Sequence, residues 1–143
     1  MIISCARLSS AVKCCMKPLT REWVAKAEDD WPTVAREERA RTDPNQNAFC
    51  FHGQLCAEKY QNADLQEAGI VFARTHNVAD LLSLLLPIDP EMKTIYPALA
   101  VLASYAVEVR YLGSNTSRVE AHRALRACRD VRVALRTRPS LVQ

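Results

Sequence analysis

Residues 48–69 read AFCFHGQLCAEKYQNADLQEAG. At about 100° per residue, Phe49, Cys50, Ala57, Tyr60, Leu65 and Ala68 fall on one apolar arc of a helix. Gly69 stands where a left-handed residue closes the last turn. Gln54, Gln61 and Asp64 project into the same arc, so its inner side is more polar than a core helix normally tolerates. A buried polar group left unpaired costs roughly 1 to 3 kcal/mol. These three therefore either form a network or leave the helix weakly held. His52 falls on the outer side and is expected to face solvent.

Helical patterns extend to both sides of this stretch. Upstream, Thr20 is expected to cap a helix running to about Arg41, with Leu19 and Val24 as a staple and Trp23, Val24, Ala27, Trp31, Val34 and Ala35 on one face. Pro32 lies inside it, where it removes a hydrogen bond and is expected to kink or restart the helix. Residues 42–47, TDPNQN, form a loop by their turn chemistry. Downstream, Thr75 can cap a short helix over residues 76–86 that carries Leu81, Leu82, Leu85 and Leu86 and stops at Pro87 and Pro90. Residues 96–111, YPALAVLASYAVEVRY, are apolar nearly all round, the pattern of a central helix or one shared with a second copy. After a loop at 112–116, Ser117 and Glu120 make a capping box for a last helix that ends near Arg136. The expectation is an all-α fold, an up-and-down antiparallel bundle of four to five helices.

Composition agrees. In 143 residues, 49% are hydrophobic, 24% charged and 6% aromatic, with only 3 Gly. That is globular, and too poor in turns and β-formers for a sandwich or barrel. One domain is expected, with residues 16–138 as the bundle, 1–15 as an unstructured extension and 139–143 as a tail. The first 17 residues contain Ser, Arg7, Lys13 and Lys17, a faint transit-peptide pattern, but the reading preferred is an extension upstream of a start at Met16. The longest uncharged run, residues 94–107, is shorter than the roughly 20 residues a membrane helix needs.

Cys50, Cys56 and Cys128 are isolated, and no Cys or His spacing matches a zinc site. They read as free thiols in a reducing, cytoplasmic setting, with no metal and no cofactor. Walker A, dinucleotide-fingerprint, zincin and nucleophile-elbow motifs do not occur.

The last helix and its flank, through Arg138, hold seven arginines against Glu120 and Asp130, a net +5 beside +3 for the whole chain. Arg118, His122, Arg126, Arg129 and Arg136 share an arc of about 80°, beside an apolar stripe of Ala121, Leu125, Cys128, Val131 and Leu135. Such an arc could grip phosphates, which arginine binds in bidentate fashion; a solvated face explains it equally well. His122 is the histidine placed where a general base near a phosphate would stand. His76, at a helix start, is expected to be a packing or capping neighbour.

Four segments taken together resemble the HEPN family (higher eukaryotes and prokaryotes nucleotide-binding): Phe51-His52-Gly53-Gln54-Leu55-Cys56-Ala57-Glu58-Lys59-Tyr60, Gln66-Glu67-Ala68-Gly69-Ile70, Arg74-Thr75-His76-Asn77 and Tyr105-Ala106-Val107-Glu108-Val109-Arg110-Tyr111. The resemblance runs from about Thr20 to Arg136. It implies a helical bundle that forms a homodimer and is often paired with a minimal nucleotidyltransferase in a two-component toxin–antitoxin system. The chain departs from the family at Leu55, at Gln61-Asn62-Ala63-Asp64-Leu65, at Pro32 and at Leu112. Ribonuclease members carry Arg, four to six residues, then His; here Arg118 precedes His122 by only four positions. The expected function is a non-catalytic partner of a nucleotidyltransferase that binds nucleotide or RNA through Arg110, Tyr111, Arg118, His122, Arg126 and Arg129. The alternatives are a metal-independent ribonuclease using Arg118 and His122, and a degenerate copy without activity.

Overall fold

A computed structural model describes residues 16–40, 42, 45–108 and 117–136, with the backbone alone at 46 and 105–108. Arg110, Tyr111, Arg138, the expected 1–15 extension, the 112–116 loop and the 139–143 tail lie outside the described residues. The elements are α1 (Pro18–Arg39), α2 (Gln46–Ala68), α3 (Val78–Leu85), a 3₁₀ turn (Pro90–Ile95), α4 (Tyr96–Glu108) and α5 (Arg118–Arg136). No strand occurs among the described residues, and the all-α bundle is as the periodicity predicts.

α2 is the hub, packing against α1, α5, α3 and α4. Its ends follow local chemistry. Asn45 Oδ1 accepts from the Ala48 amide at 2.9 Å, which starts the helix a little before the expected position. Gly69, at φ 72°, turns the chain out, and the Ile70 amide donates to the Leu65 carbonyl at 3.0 Å.

Two of the intrusive polar residues of α2 are held by separate bonds to backbone carbonyls, each leaving its own buried Oε1 without a hydrogen bond among the described residues. Gln54 Nε2 donates to the His76 carbonyl at 2.7 Å and Gln61 Nε2 to the Val78 carbonyl at 3.1 Å. Both side chains are fully buried, and they tie the segment leading into α3 onto α2. Asp64 is buried too, on the core side as expected.

Three sequence expectations are corrected. Thr20 does not cap α1: Lys17 holds that position, Pro18 occupies the first turn, where a missing N–H is harmless, and Thr20 is buried. The Lys17 amide instead donates to Glu67 Oε2 at 3.2 Å, and buried Met16 fastens this end of the chain. Pro32 does not restart the helix, because α1 runs through it with the ring on the exposed side. Asn77 rather than Thr75 caps α3, its side chain accepting from the amides of Ala79 and Asp80, while Thr75 Oγ1 accepts from the Asn77 amide.

The core joins Val24, Ala27 and Val34 of α1 to Phe49, Cys56 and Tyr60 of α2, Leu99 and Leu102 of α4, and Leu125, Cys128, Val131 and Leu135 of α5. A smaller cluster unites Leu65, Leu81 and Leu85 under Ile70 and Phe72. The crossing of α2 and α5 is close. A Cβ on Gly53 would stand 3.1 Å from Cys128 Sγ, tighter than side chains ordinarily approach. Cys50, Cys56 and Cys128 are free and buried. Burial pushes the Cys50 thiol up to about 11 and the Cys128 thiol up to about 12, and it raises Cys56 as well.

Candidate nucleotide and RNA interface

α5 begins with the capping box read from the sequence. The Ser117 amide donates to Glu120 Oε2 at 2.8 Å, and the Glu120 amide donates to Ser117 Oγ at 3.2 Å. Those bonds from the Ser117 backbone and hydroxyl, with nearby Arg123, hold the Glu120 carboxyl below the usual carboxylate range. Ala121, Leu125, Cys128, Val131 and Leu135 turn inward as the apolar stripe predicts.

The arginines of α5 divide into two groups. Arg132 Nη2 donates to Glu28 Oε2 at 2.9 Å, and its guanidinium lies 4.3 Å from the centre of the Trp31 ring. Arg136 Nε stands 3.7 Å from Glu28 Oε1, and Arg129 pairs with Glu38. The acids all come from α1, so a row of ion pairs closes the groove between α1 and α5. Arg129 was expected to reach a ligand; here its charge is already matched by Glu38.

The row stops at Glu38. Beyond it, Arg118, His122, Phe49, Leu125, Glu37 and Glu38 line a small cleft open to solvent, together with Ala40 and Ala121. Phe49, Ala121 and Leu125 are buried and form its floor. Arg118 and His122, one turn apart, form one wall. The side chains of Arg118, His122 and neighbouring Arg126 are exposed and hold no ion pair or hydrogen bond among the described residues. The opposite wall is acidic, but its carboxylates are engaged: Glu37 Oε2 accepts from the Asn45 amide at 2.7 Å, and Glu38 Oε1 accepts from Arg129. The start of α5 adds the positive end of a helix dipole to the Arg118 side.

The other two histidines lie elsewhere. His52, read as solvent-facing, is half-buried, and its Nδ1 donates to Asp30 Oδ1 at 2.9 Å; Lys59 binds the other oxygen of that buried carboxylate. His76 Nδ1 lies 3.0 Å from Oε2 of buried Glu58, a partnered neighbour at the entry to α3. Both pairs clip segments onto α2, and neither involves an arginine. Their acids, Asp30 and Glu58, were not singled out from the sequence. The only available signal was an acid on a helical face otherwise turned inward. Among the described residues no three His, Cys, Asp or Glu side chains converge as a metal site, and no helix is long and apolar enough to cross a membrane.

The profile of the HEPN domain matches residues 20–137, most of the chain and all of α2 to α5. The chain belongs to the HEPN family. The match covers all four segments on which the resemblance rests and the cleft-lining start of α5. This HEPN chain is a nucleotide- and RNA-related helical domain. No curated protein and no solved structure matches it.

Proposed function

We propose that this HEPN protein is a non-catalytic binding module that holds nucleotide or RNA phosphates at the free end of α5, forms a homodimer, and partners a minimal nucleotidyltransferase in a toxin–antitoxin-type pair. The observation that carries the binding reading is the split of the α5 arginines. Among the described residues Arg118 and Arg126 have no ion-pair partner and stand beside a cleft, while Arg129, Arg132 and Arg136 are matched by α1. Unmatched cations on an open edge attract phosphate without first breaking an ion pair. Arg110 and Tyr111 follow α4 in sequence and belong to the same proposal. The homodimer and the nucleotidyltransferase rest on family membership. Exposed Leu84, Ile88 and Tyr96, around the junction of α3 and α4, give a second copy apolar surface to cover.

The enzyme reading is favoured by one observation, that Arg118 and His122 line the same cleft. Acid–base cleavage also needs an imidazole fixed in direction. The two histidines so fixed are His52 and His76, each by a carboxylate, whereas the His122 ring has no partner among the described residues.

The test uses purified full-length protein and a labelled RNA pool. Binding that weakens steeply with salt, with a slope flattened by Arg118→Ala plus Arg126→Ala and no cleavage, supports the module. Cleavage abolished by His122→Ala overturns it in favour of the ribonuclease, and binding that is absent or insensitive to salt overturns the phosphate site.

A further inference from the structure

The two walls of the cleft differ in sign, and its floor is apolar. Arg118 and His122 offer donors and positive charge, Phe49 and Leu125 a buried hydrophobic base, and Glu37 and Glu38 an acceptor-only edge. Each glutamate spends one oxygen on a structural partner, the Asn45 amide or Arg129. The other oxygen of each makes no hydrogen bond among the described residues. A bare phosphate uses the first wall and is repelled by the second. A ligand that satisfies the whole cleft carries an anion at one end, a flat apolar body, and N–H donors at the far end.

Resting on the phosphate-binding reading above, we infer that the cleft selects nucleotides by their base: the phosphate lies on Arg118, and an amino-bearing base, guanine above all, turns its donor edge to Glu37 and Glu38. Guanine presents N1–H and the 2-amino group side by side, two donors for the one free oxygen on each of Glu37 and Glu38. Uracil presents a single N–H flanked by two carbonyl oxygens, which would face the carboxylates as like partial charges. A free mononucleotide and a guanine at the end of an RNA chain share this chemistry.

Calorimetric titration of the intact protein with 5′-GMP, 5′-UMP and inorganic phosphate tests the assignment, with short RNAs ending in G or in U as a further arm. GMP is expected to bind about tenfold more tightly than UMP, the effect of about one net hydrogen bond at an open site. Arg118→Ala should weaken both nucleotides by a similar factor. Glu37→Gln and Glu38→Gln, made singly, should shrink the GMP:UMP ratio whatever they do to overall affinity. A G-over-U preference confined to the RNAs assigns the site to chain ends, and one shared by the mononucleotides assigns it to free nucleotide. Equal binding of GMP and UMP overturns base selection while leaving the phosphate site standing. If neither nucleotide nor phosphate binds, the phosphate site itself falls. A ratio untouched by both glutamate variants overturns the acceptor wall. Should a glutamate variant fail to fold, saturation transfer from the Phe49 ring to the guanine H8 proton in the wild type decides, and no transfer overturns the proposal.

Discussion

Arg132 and Arg118 stand about four turns apart on one helix and differ mainly in what lies across the groove from them. Opposite Arg132, α1 presents Glu28 and the face of Trp31; near Arg118 the acids of α1 are already bound to other groups. One half of α5 is thereby a fastener and the other an open edge, although their compositions are alike. The difference teaches that an arginine-rich helix acquires its role from the neighbouring element. α1 and α5 are both supported mainly by α2, so long side chains rather than close backbone packing join them.

The largest effect expected is on the fastened half. Trp31→Ala removes packing from the core edge and the platform under Arg132, and should cost about 3 kcal/mol in urea denaturation. Arg132→Ala should cost about 1 to 2 kcal/mol, and in the double variant the two losses should overlap by about 1 kcal/mol. Fully additive losses would break the comparison by showing that the stacked pair is not a unit. Arg118→Ala and Arg126→Ala, by contrast, should change stability by less than about 0.5 kcal/mol while weakening RNA binding. Arg136→Ala should leave that binding alone.

Between the two halves in size stands the cap. Ser117→Ala should destabilise by about 1 kcal/mol, read from the same denaturation curves. The smallest expected effect is a pH dependence at the open end. Because the Glu120 carboxyl lies below its ordinary value in the folded chain, its contribution is present above the unfolded-state value of about 4.3 and is lost as pH falls through the folded one. Stability measured from pH 7 down to pH 3 should show that loss in the wild type and not in Glu120→Gln. A variant curve that parallels the wild type would remove the capping carboxylate from the account.

The helices were legible because their signals are local. The Ser117 and Glu120 box, the glycine after Ala68 and the leucine run of α3 all act within a few residues. What was not legible depends on partners far away in sequence. Gln54 and Gln61 look like intrusions until the carbonyls of His76 and Val78 come within reach. His52 looks solvent-facing until Asp30 of α1 lies beside it. The Thr20 cap fails because the Lys17 amide is tied to Glu67 of α2 while the Met16 carbonyl accepts from Arg21, which shifts the helix start towards Pro18. At the candidate site, Arg118 and His122 were visible as a pair one turn apart. Phe49, Glu37 and Glu38, the rest of the cleft, come from two other helices and left no common mark in the sequence.

The tight crossing at Gly53 and Cys128 gives the molecule an internal clock. Three thiols lie in or beside the seam between α2 and α5, each shielded from reagent and each held protonated well above neutral pH. At pH 8 a thiol reagent can therefore modify them only in molecules whose seam has parted. The labelling rate measures how often that happens, without any engineered probe. Alkylation followed by mass spectrometry would show whether Cys50, Cys56 and Cys128 react together, as one opening unit, or in sequence as α5 peels away. On the binding mode proposed above, a ligand in the cleft would join the start of α5 to the end of α1, and protection at Cys128 would report its arrival from inside the core.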